Sequence, residues 1–173
     1  LGGVIHQEEI RKRQEVQELG LINDIQDFKS SSQKFYDEYA VNNTGINAAF
    51  AERDGMSFHQ DRLNQLKEKW QGLPQAELYL AKHGGEVAIS GINRMRDYGN
   101  TQLADHKTKT LVAMKSEALT QAASDPENWR NSIKTANNFY VAANNGAPLE
   151  FLRAGIRQNE EEAFEAAFNS VIG

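Results

Sequence analysis

The chain has 173 residues, a formal net charge of −5 and no cysteine. This length allows one domain or two small helical subdomains. The lack of cysteine excludes a disulfide framework and thiol catalysis, and the acidic balance argues against nucleic-acid binding, which requires clustered Lys and Arg. No apolar run approaches the roughly 18 residues that cross a bilayer, so no membrane span is predicted. The chain begins at Leu1 and stops at Gly173, and we expect it to be a fragment of a larger polypeptide.

The first predicted helix runs from about residue 5 to residue 40. Six positions spaced 4-3-4-3-4 form a heptad seam, and they are Leu21, Ile25, Phe28, Ser32, Phe35 and Tyr39. Polar residues at Gln14, Glu18 and Ser32 interrupt the seam. Burial against a helix of the same chain is therefore favoured over a dedicated parallel dimer. The basic run Arg11–Arg13 lies between glutamates, and it is interpreted as a solvated helix face.

Residues 41–56 break the helical pattern with Asn42, Asn43, Gly45 and Gly55, which predicts a loop with one helical turn at 46–52. Ser57 and Gln60 fit a capping box, in which a serine side chain binds a free backbone N–H and a glutamine reaches back. A second helix is therefore predicted to begin at Ser57. Gly72 is placed to end it.

Pro74 suits the first turn of a third helix, which then meets His83, Gly84 and Gly85. Two adjacent glycines cost roughly 2 kcal/mol in a helix interior, so a break or bend is favoured there over a flexible kink. A very long helix is predicted to follow, over about 86–123, because no proline interrupts the segment and its apolar rhythm is helical.

Asp125 and Pro126 form a strong helix start, with Asp125 as the N-cap. A stripe from Trp129 to Ala143 steps by 4-3-4-3 and is predicted to clamp the Trp129 indole against the preceding long helix. Pro148 then opens a last helix, which makes a C-terminal helical hairpin. No segment alternates like a strand, so the predicted class is all-α, an elongated bundle with long helices and coiled-coil-like packing.

These elements suggest two parts, residues 1–56 with the first long helix and a loop, and residues 57–173 with the remaining bundle. Eight apolar positions on the predicted inner faces are the expected core anchors. They are Phe35, Tyr39, Trp70, Ile92, Trp129, Ile133, Leu152 and Ile156.

Chemistry-bearing motifs are scarce. The Glu-x-x-His pairs of di-iron bundles do not occur, and His6, His59, His83 and His106 are scattered, so each is interpreted as a surface or partly buried polar residue. The acidic run Glu160–Glu162 falls within a helix rather than a calcium loop and is interpreted as solvated. There is no phosphate-binding glycine loop and no nucleophile elbow. We therefore predict no catalytic, cofactor-binding or metal-binding residue and no cofactor.

Three stretches carry a family resemblance over most of residues 20–173. The chain resembles the helical regions of virion-associated proteins of tailed bacteriophages and prophages, including N-terminal regions of tail or internal virion proteins, some of which bear a lytic transglycosylase domain elsewhere. The stretches are Phe35–Tyr39 leading to Gly45 and Ala48–Phe50, the Gly72–Pro74 junction before a very long helix, and Ala122–Pro126 followed by Trp129, Ala142 and Gly146–Pro148.

The resemblance implies a non-catalytic structural or assembly module whose partners are other virion proteins or further copies of itself. It also implies a location in the virion, or in the bacterial cytoplasm during assembly. No Glu-Ser pair in a glycine-rich muramidase-like context occurs, so no transglycosylase activity is assigned to these residues. Two alternatives remain open from the sequence: a helical sensor or adaptor domain of a bacterial signalling protein, and a non-catalytic arm of a cell-wall hydrolase.

Overall fold

The protein is all-α, as predicted. A computed structural model describes all residues from Leu1 to Gly173, of which 91% are helical, and it contains no strand. The helices are α1 (Gly2–Asn42), α2 (Ala51–Lys69), α3 (Pro74–Tyr79), α4 (Gly85–Ser124), α5 (Trp129–Ala143) and α6 (Leu149–Ile172). Short 3₁₀ turns at Gly45–Ala48 and Pro126–Asn128 precede α2 and α5.

The helix start predicted at Ser57 is wrong, because α2 already begins at Ala51. Ala48 and Ala51 are fully buried against α4, where a Cβ atom on Gly99 would lie 2.8 Å from the Ala48 carbonyl oxygen. Glu52 lies in the first turn, where the helix dipole favours negative charge. Tertiary packing and this charge therefore extend the helix over the last six residues of the predicted loop, and Ser57 lies in the helix interior.

A helix break at His83, Gly84 and Gly85, which was predicted as one outcome beside a bend, is also wrong. A five-residue π-helical turn, Leu80–Gly84, joins α3 directly to α4, and Gly85 keeps helical backbone angles. Leu80 and Gly84 are buried, and a Cβ on Gly84 would lie 2.9 Å from the Leu63 side chain. This packing offsets the low helix propensity of the two glycines.

The chain divides into two compact units, Leu1–Leu103 and Ala104–Gly173, so the boundary falls inside α4. The sequence had suggested a boundary at residue 56. In the first unit, one face of α1 is buried at Leu21, Ile25, Phe28 and Ser32, which is the predicted seam. Leu21 and Ile25 share an apolar cluster with Trp70 and Leu80.

The second unit has a core of small side chains between its helices. The buried residues are Ala118, Ala122, Ile133, Ala136, Ala163 and Ala167. Within this core the side-chain amide of Asn159 donates a 3.0 Å hydrogen bond to the side-chain oxygen of Asn137. Lys115 and Glu162 form a 2.7 Å ion pair at its edge, and that pairing lowers the pKa of the Glu162 carboxyl group.

The eight expected core anchors lie at different depths. Trp70 and Ile133 are buried. The other six are half-buried, and they are Phe35, Tyr39, Ile92, Trp129, Leu152 and Ile156. Trp129 packs on the alanine-rich core and meets Phe164 edge-on, with ring centroids 5.6 Å apart.

Two glycines of α4 offer a matched test of this packing. A Cβ on Gly91 would lie 2.6 Å from Ser32 Oγ and closer still to His59 Nε2, whereas a Cβ on Gly85 would meet nothing within 4 Å. We expect Gly91→Ala to lower the free energy of unfolding by about 1–3 kcal/mol through overpacking. Gly85→Ala should raise it by about 0.5–1 kcal/mol through helix propensity. Urea denaturation measures both, and equal effects would contradict the close approach at Gly91.

Candidate functional site

A buried serine–histidine pair is the most organised polar arrangement in the first unit. Ser32 of α1 and His59 of α2 lie with Oγ and Nε2 2.7 Å apart, and the His59 Nδ1 atom is 2.6 Å from the Gly55 carbonyl oxygen. Only 1% of His59 and 6% of Ser32 are exposed. The Ser32–His59 hydrogen bond thus joins two helices in a place that water does not reach, and the His59–Gly55 bond orients the ring within α2.

These contacts define the tautomer of His59. A carbonyl oxygen can only accept a hydrogen bond, so Nδ1 carries the proton and donates to Gly55. Because burial lowers the pKa of His59, Nε2 is unprotonated at neutral pH and accepts the bond from the Ser32 hydroxyl. The imidazole is therefore neutral, and both of its nitrogens are satisfied.

Aromatic rings and a glycine enclose the imidazole. Phe28, Phe35 and Phe58 lie with ring centroids 5.1–6.4 Å from that of His59, and Gly91 of α4 closes the remaining side. Burial in these surroundings lowers the pKa of His59 below its ordinary value of 6.5, and the nearby positive charge of Arg94 lowers it further.

A hydroxyl 2.7 Å from an imidazole nitrogen is the geometry that activates a serine nucleophile. Two features of this pair do not suit that chemistry. The group that orients His59 is a backbone carbonyl rather than a carboxylate, and Ser32 lies within α1, where neighbouring N–H groups are used by the helix instead of an oxyanion. The arrangement therefore favours a structural role.

Ser32 also borders a polar groove of about 650 Å³ between α1 and α4. Lys29 and Arg94 supply positive charge along it, and His83 and Glu86 lie 3.6 Å apart at one end. Arg94 is held by the Gln33 side chain and by the Tyr36 ring, whose centroid is 5.4 Å from its guanidinium carbon. The arginine is thus engaged by the protein itself.

The N-terminal part of α1 presents a second apolar surface, which we call the outer face. Every residue from Leu1 to Leu19 is exposed. At about 100° per residue, six apolar residues fall within an arc of about 120° around Glu8 and Lys12, roughly opposite the buried seam. These residues are Leu1, Val4, Ile5, Val16, Leu19 and Ile22, all exposed.

A smaller aromatic edge lies on α6 in the second unit. Phe164 and Phe168 are about half exposed, and their rings stack with centroids 6.0 Å apart. Phe164 also packs edge-to-face with Trp129, and the Arg130 guanidinium carbon lies 4.6 Å from the centroid of the Trp129 ring. These aromatic rings therefore extend from the buried core, which Trp129 contacts, to the solvent-exposed surface of the second unit.

Sequence reasoning missed the Ser32–His59 pair. Ser32 was interpreted as an interruption of the seam and His59 as a surface or partly buried polar residue, whereas both are buried. A usable signal was present, because Ser32 sits at a heptad position that packs inward and a buried hydroxyl requires a polar partner. Which residue supplies that partner depends on how α2 meets α1. His6 is exposed, and His83 and His106 are half-buried.

The burial of neutral His59 predicts a pH-dependent stability. As the pH falls below about 6.5, His59 gains a proton in the unfolded chain but stays neutral in the folded chain, because its folded pKa is lower. The contribution of His59 to the free energy of unfolding is therefore complete above pH 6.5, and it is lost as the pH falls towards the folded pKa. Urea denaturation should give a lower free energy of unfolding at pH 5.5 than at pH 7.5. His59→Gln should reduce the dependence and exposed His6→Gln should leave it unchanged. A wild-type stability that is flat across this range would contradict the neutral imidazole.

No protein family, curated protein or solved structure matches the chain. None of its helices combines the length and the apolar character needed to span a bilayer. The functional argument therefore depends on the chain's own residues and surfaces.

Proposed function

We propose that this chain is a non-catalytic structural or assembly module, of the kind found in the virions of tailed phages, which binds protein partners through exposed helix faces. The observation that carries the proposal is the outer face of α1. Ile5, Val16 and Leu19 expose 64%, 69% and 61% of their surface, and residues 1–19 of the chain are all exposed.

The energetics of an uncovered helix support a partner. Most helical stability in proteins comes from packing of an apolar face rather than from intrinsic propensity. The first turns of α1 lack such packing within the chain. Large apolar side chains grouped on a solvent-facing surface are typical of protein interaction sites. A partner that covers the outer face would therefore stabilise this segment.

The phage assignment is supported by the resemblance in the segments Phe35–Tyr39, Gly72–Pro74 and Ala122–Pro126. The enclosed Ser32–His59 pair supports the non-catalytic part, because its atoms serve to join α1 and α2. Together these features favour a module that acts by binding other proteins rather than by catalysis.

Particle composition tests the proposal. Mass spectrometry of purified phage particles from a strain that encodes this chain should detect it at a fixed copy number. An Ile5→Asp/Val16→Asp/Leu19→Asp variant should fail to incorporate, because charge on the outer face opposes burial in a contact. Gln7→Asp, on another side of the same exposed helix, is the matched control and should incorporate normally. Absence of the wild-type chain from particles that contain the other structural proteins would contradict the proposal.

Trp129 separates a core role from a partner-binding role in the second unit. Its indole packs on the alanine-rich core and on Phe164, so Trp129→Ala should lower the free energy of unfolding by about 3 kcal/mol. Phe168→Ala is the control and should cost about 1 kcal/mol or less, since this ring is half exposed. Thermal unfolding followed by circular dichroism measures both. An unchanged midpoint for Trp129→Ala would instead identify the indole as an anchor for a partner.

A further inference from the structure

We infer that the outer face of α1 pairs with the same face of a second copy of this chain, with the two helices antiparallel. The inference rests on the proposed function in that it takes this face as a protein-binding surface, and it names the partner. It is carried by the exposure of residues 1–19 and by the order of apolar and charged residues along the face.

The face is self-complementary when two copies run in opposite directions. Leu1, Glu8, Lys12 and Leu19 lie nearly in one line along the helix, within roughly 40° of one another at about 100° per residue. With a two-fold axis near residue 10, Glu8 of one copy faces Lys12 of the other, and the reverse pair forms by symmetry. Leu1 then faces Leu19 at both ends.

One pair of the flanking apolar residues, Ile5 and Val16, follows the same symmetry. The other pair, Val4 and Ile22, lies on the opposite side of the line beside Glu15 and is centred on residue 13. Ile5 and Val16 lie on one side of that line, about 20° apart around the helix. Their positions are nearly equidistant from residue 10, so the antiparallel arrangement places Ile5 of one copy beside Val16 of the other. The Leu1–Leu19 contact, the Ile5–Val16 contact and the Glu8–Lys12 ion pair thus each occur twice across the axis.

Charge favours this orientation over an in-register parallel pair. Parallel pairing would set Glu8 against Glu8 and Lys12 against Lys12, and like charges at facing positions are destabilising. Antiparallel pairing replaces both repulsions with attractions. Chain direction is therefore specified by two residues in the middle of the contact.

The contact is short. Residues 1–19 extend about 27 Å as a helix, and two helices of this length form an interface at the small end of specific contacts, below about 1,200 Å² in total. The dimer is therefore expected to dissociate on dilution. The buried seam at Leu21, Ile25 and Phe28 faces the other way, so dimerisation requires no change in the fold of the first unit.

Sedimentation equilibrium of the full chain over a range of concentrations tests the pairing. The wild-type chain should show a monomer–dimer equilibrium, and Ile5→Asp should weaken dimerisation by about tenfold or more. Gln7→Asp, on another side of the helix, should dimerise like the wild type. Circular dichroism of each variant checks that the helices are retained.

Charge reversal makes the test specific. Glu8→Lys and Lys12→Glu should each dimerise more weakly than the wild type, because each sets like charges across the axis. An equimolar mixture of the two variants should recover dimers, since every facing pair is again of opposite charge. A chain carrying both substitutions should also recover, because antiparallel pairing then exchanges the two partners.

Direction is tested with cysteines, which the natural chain lacks. A mixture of Leu1→Cys and Leu19→Cys chains should form a mixed disulfide much faster than either variant forms its own. Faster self-cross-linking of Leu19→Cys would overturn the antiparallel direction. A wild-type chain that stays monomeric, or a dimer that Ile5→Asp leaves intact, would overturn the pairing itself.

The two proposals fail separately. A monomeric chain that still enters particles through its outer face would retain the proposed function and remove the self-pairing. A chain that dimerises as described but is absent from particles would retain the self-pairing and remove the phage function.

Discussion

The first unit depends on the close approach of α4 to α1 and α2, which glycines make possible. Gly91 lies beside Ser32 and His59, and Gly55 leaves room for Met95, which is fully buried. Because a Cβ at either glycine would overlap its neighbours, the helix separation and the burial of the imidazole are consequences of the same small residues. The Ser32–His59 bond then completes the contact, since at this separation both imidazole nitrogens have partners and no buried polar atom is left unsatisfied.

Local stereochemistry explains how much of the fold could be predicted from the sequence. The seam of α1 follows from side-chain spacing alone, and Pro74 and Pro126 mark helix starts because proline suits the first turn. Gly72 follows α2 with φ +85°, a conformation that favours glycine. The failures at Ser57 and at Gly84 have one cause. In both places contacts with distant residues outweigh the local preference, and spacing along the chain carries no information about those contacts.

The candidate sites also differ in whether they could be predicted from the sequence. The outer face could be found from the sequence, because it consists of neighbours on one helix and needs only the 100° rotation per residue. The Ser32–His59 pair could not, because its partners are 27 residues apart and meet only when α2 packs on α1. The Asn137–Asn159 bond in the second unit is similar, with 22 residues between partners. Periodicity shows that such residues face inward, and only the packing of helices shows what they meet.

The buried polar pairs restrict how the helices of this protein can pack, whereas the exposed apolar face of α1 does not. Each unit contains a hydrogen-bonded pair that permits only certain registers between its helices, because a slip would leave amide or hydroxyl groups buried without partners. The outer face of α1 does not restrict the helix register, since α1 packs on the first unit through its opposite side. The apolar residues of that face between Leu1 and Leu19 are all exposed, and they gain free energy when another surface covers them. Substitutions on that face can therefore change association while the stability of the fold is preserved.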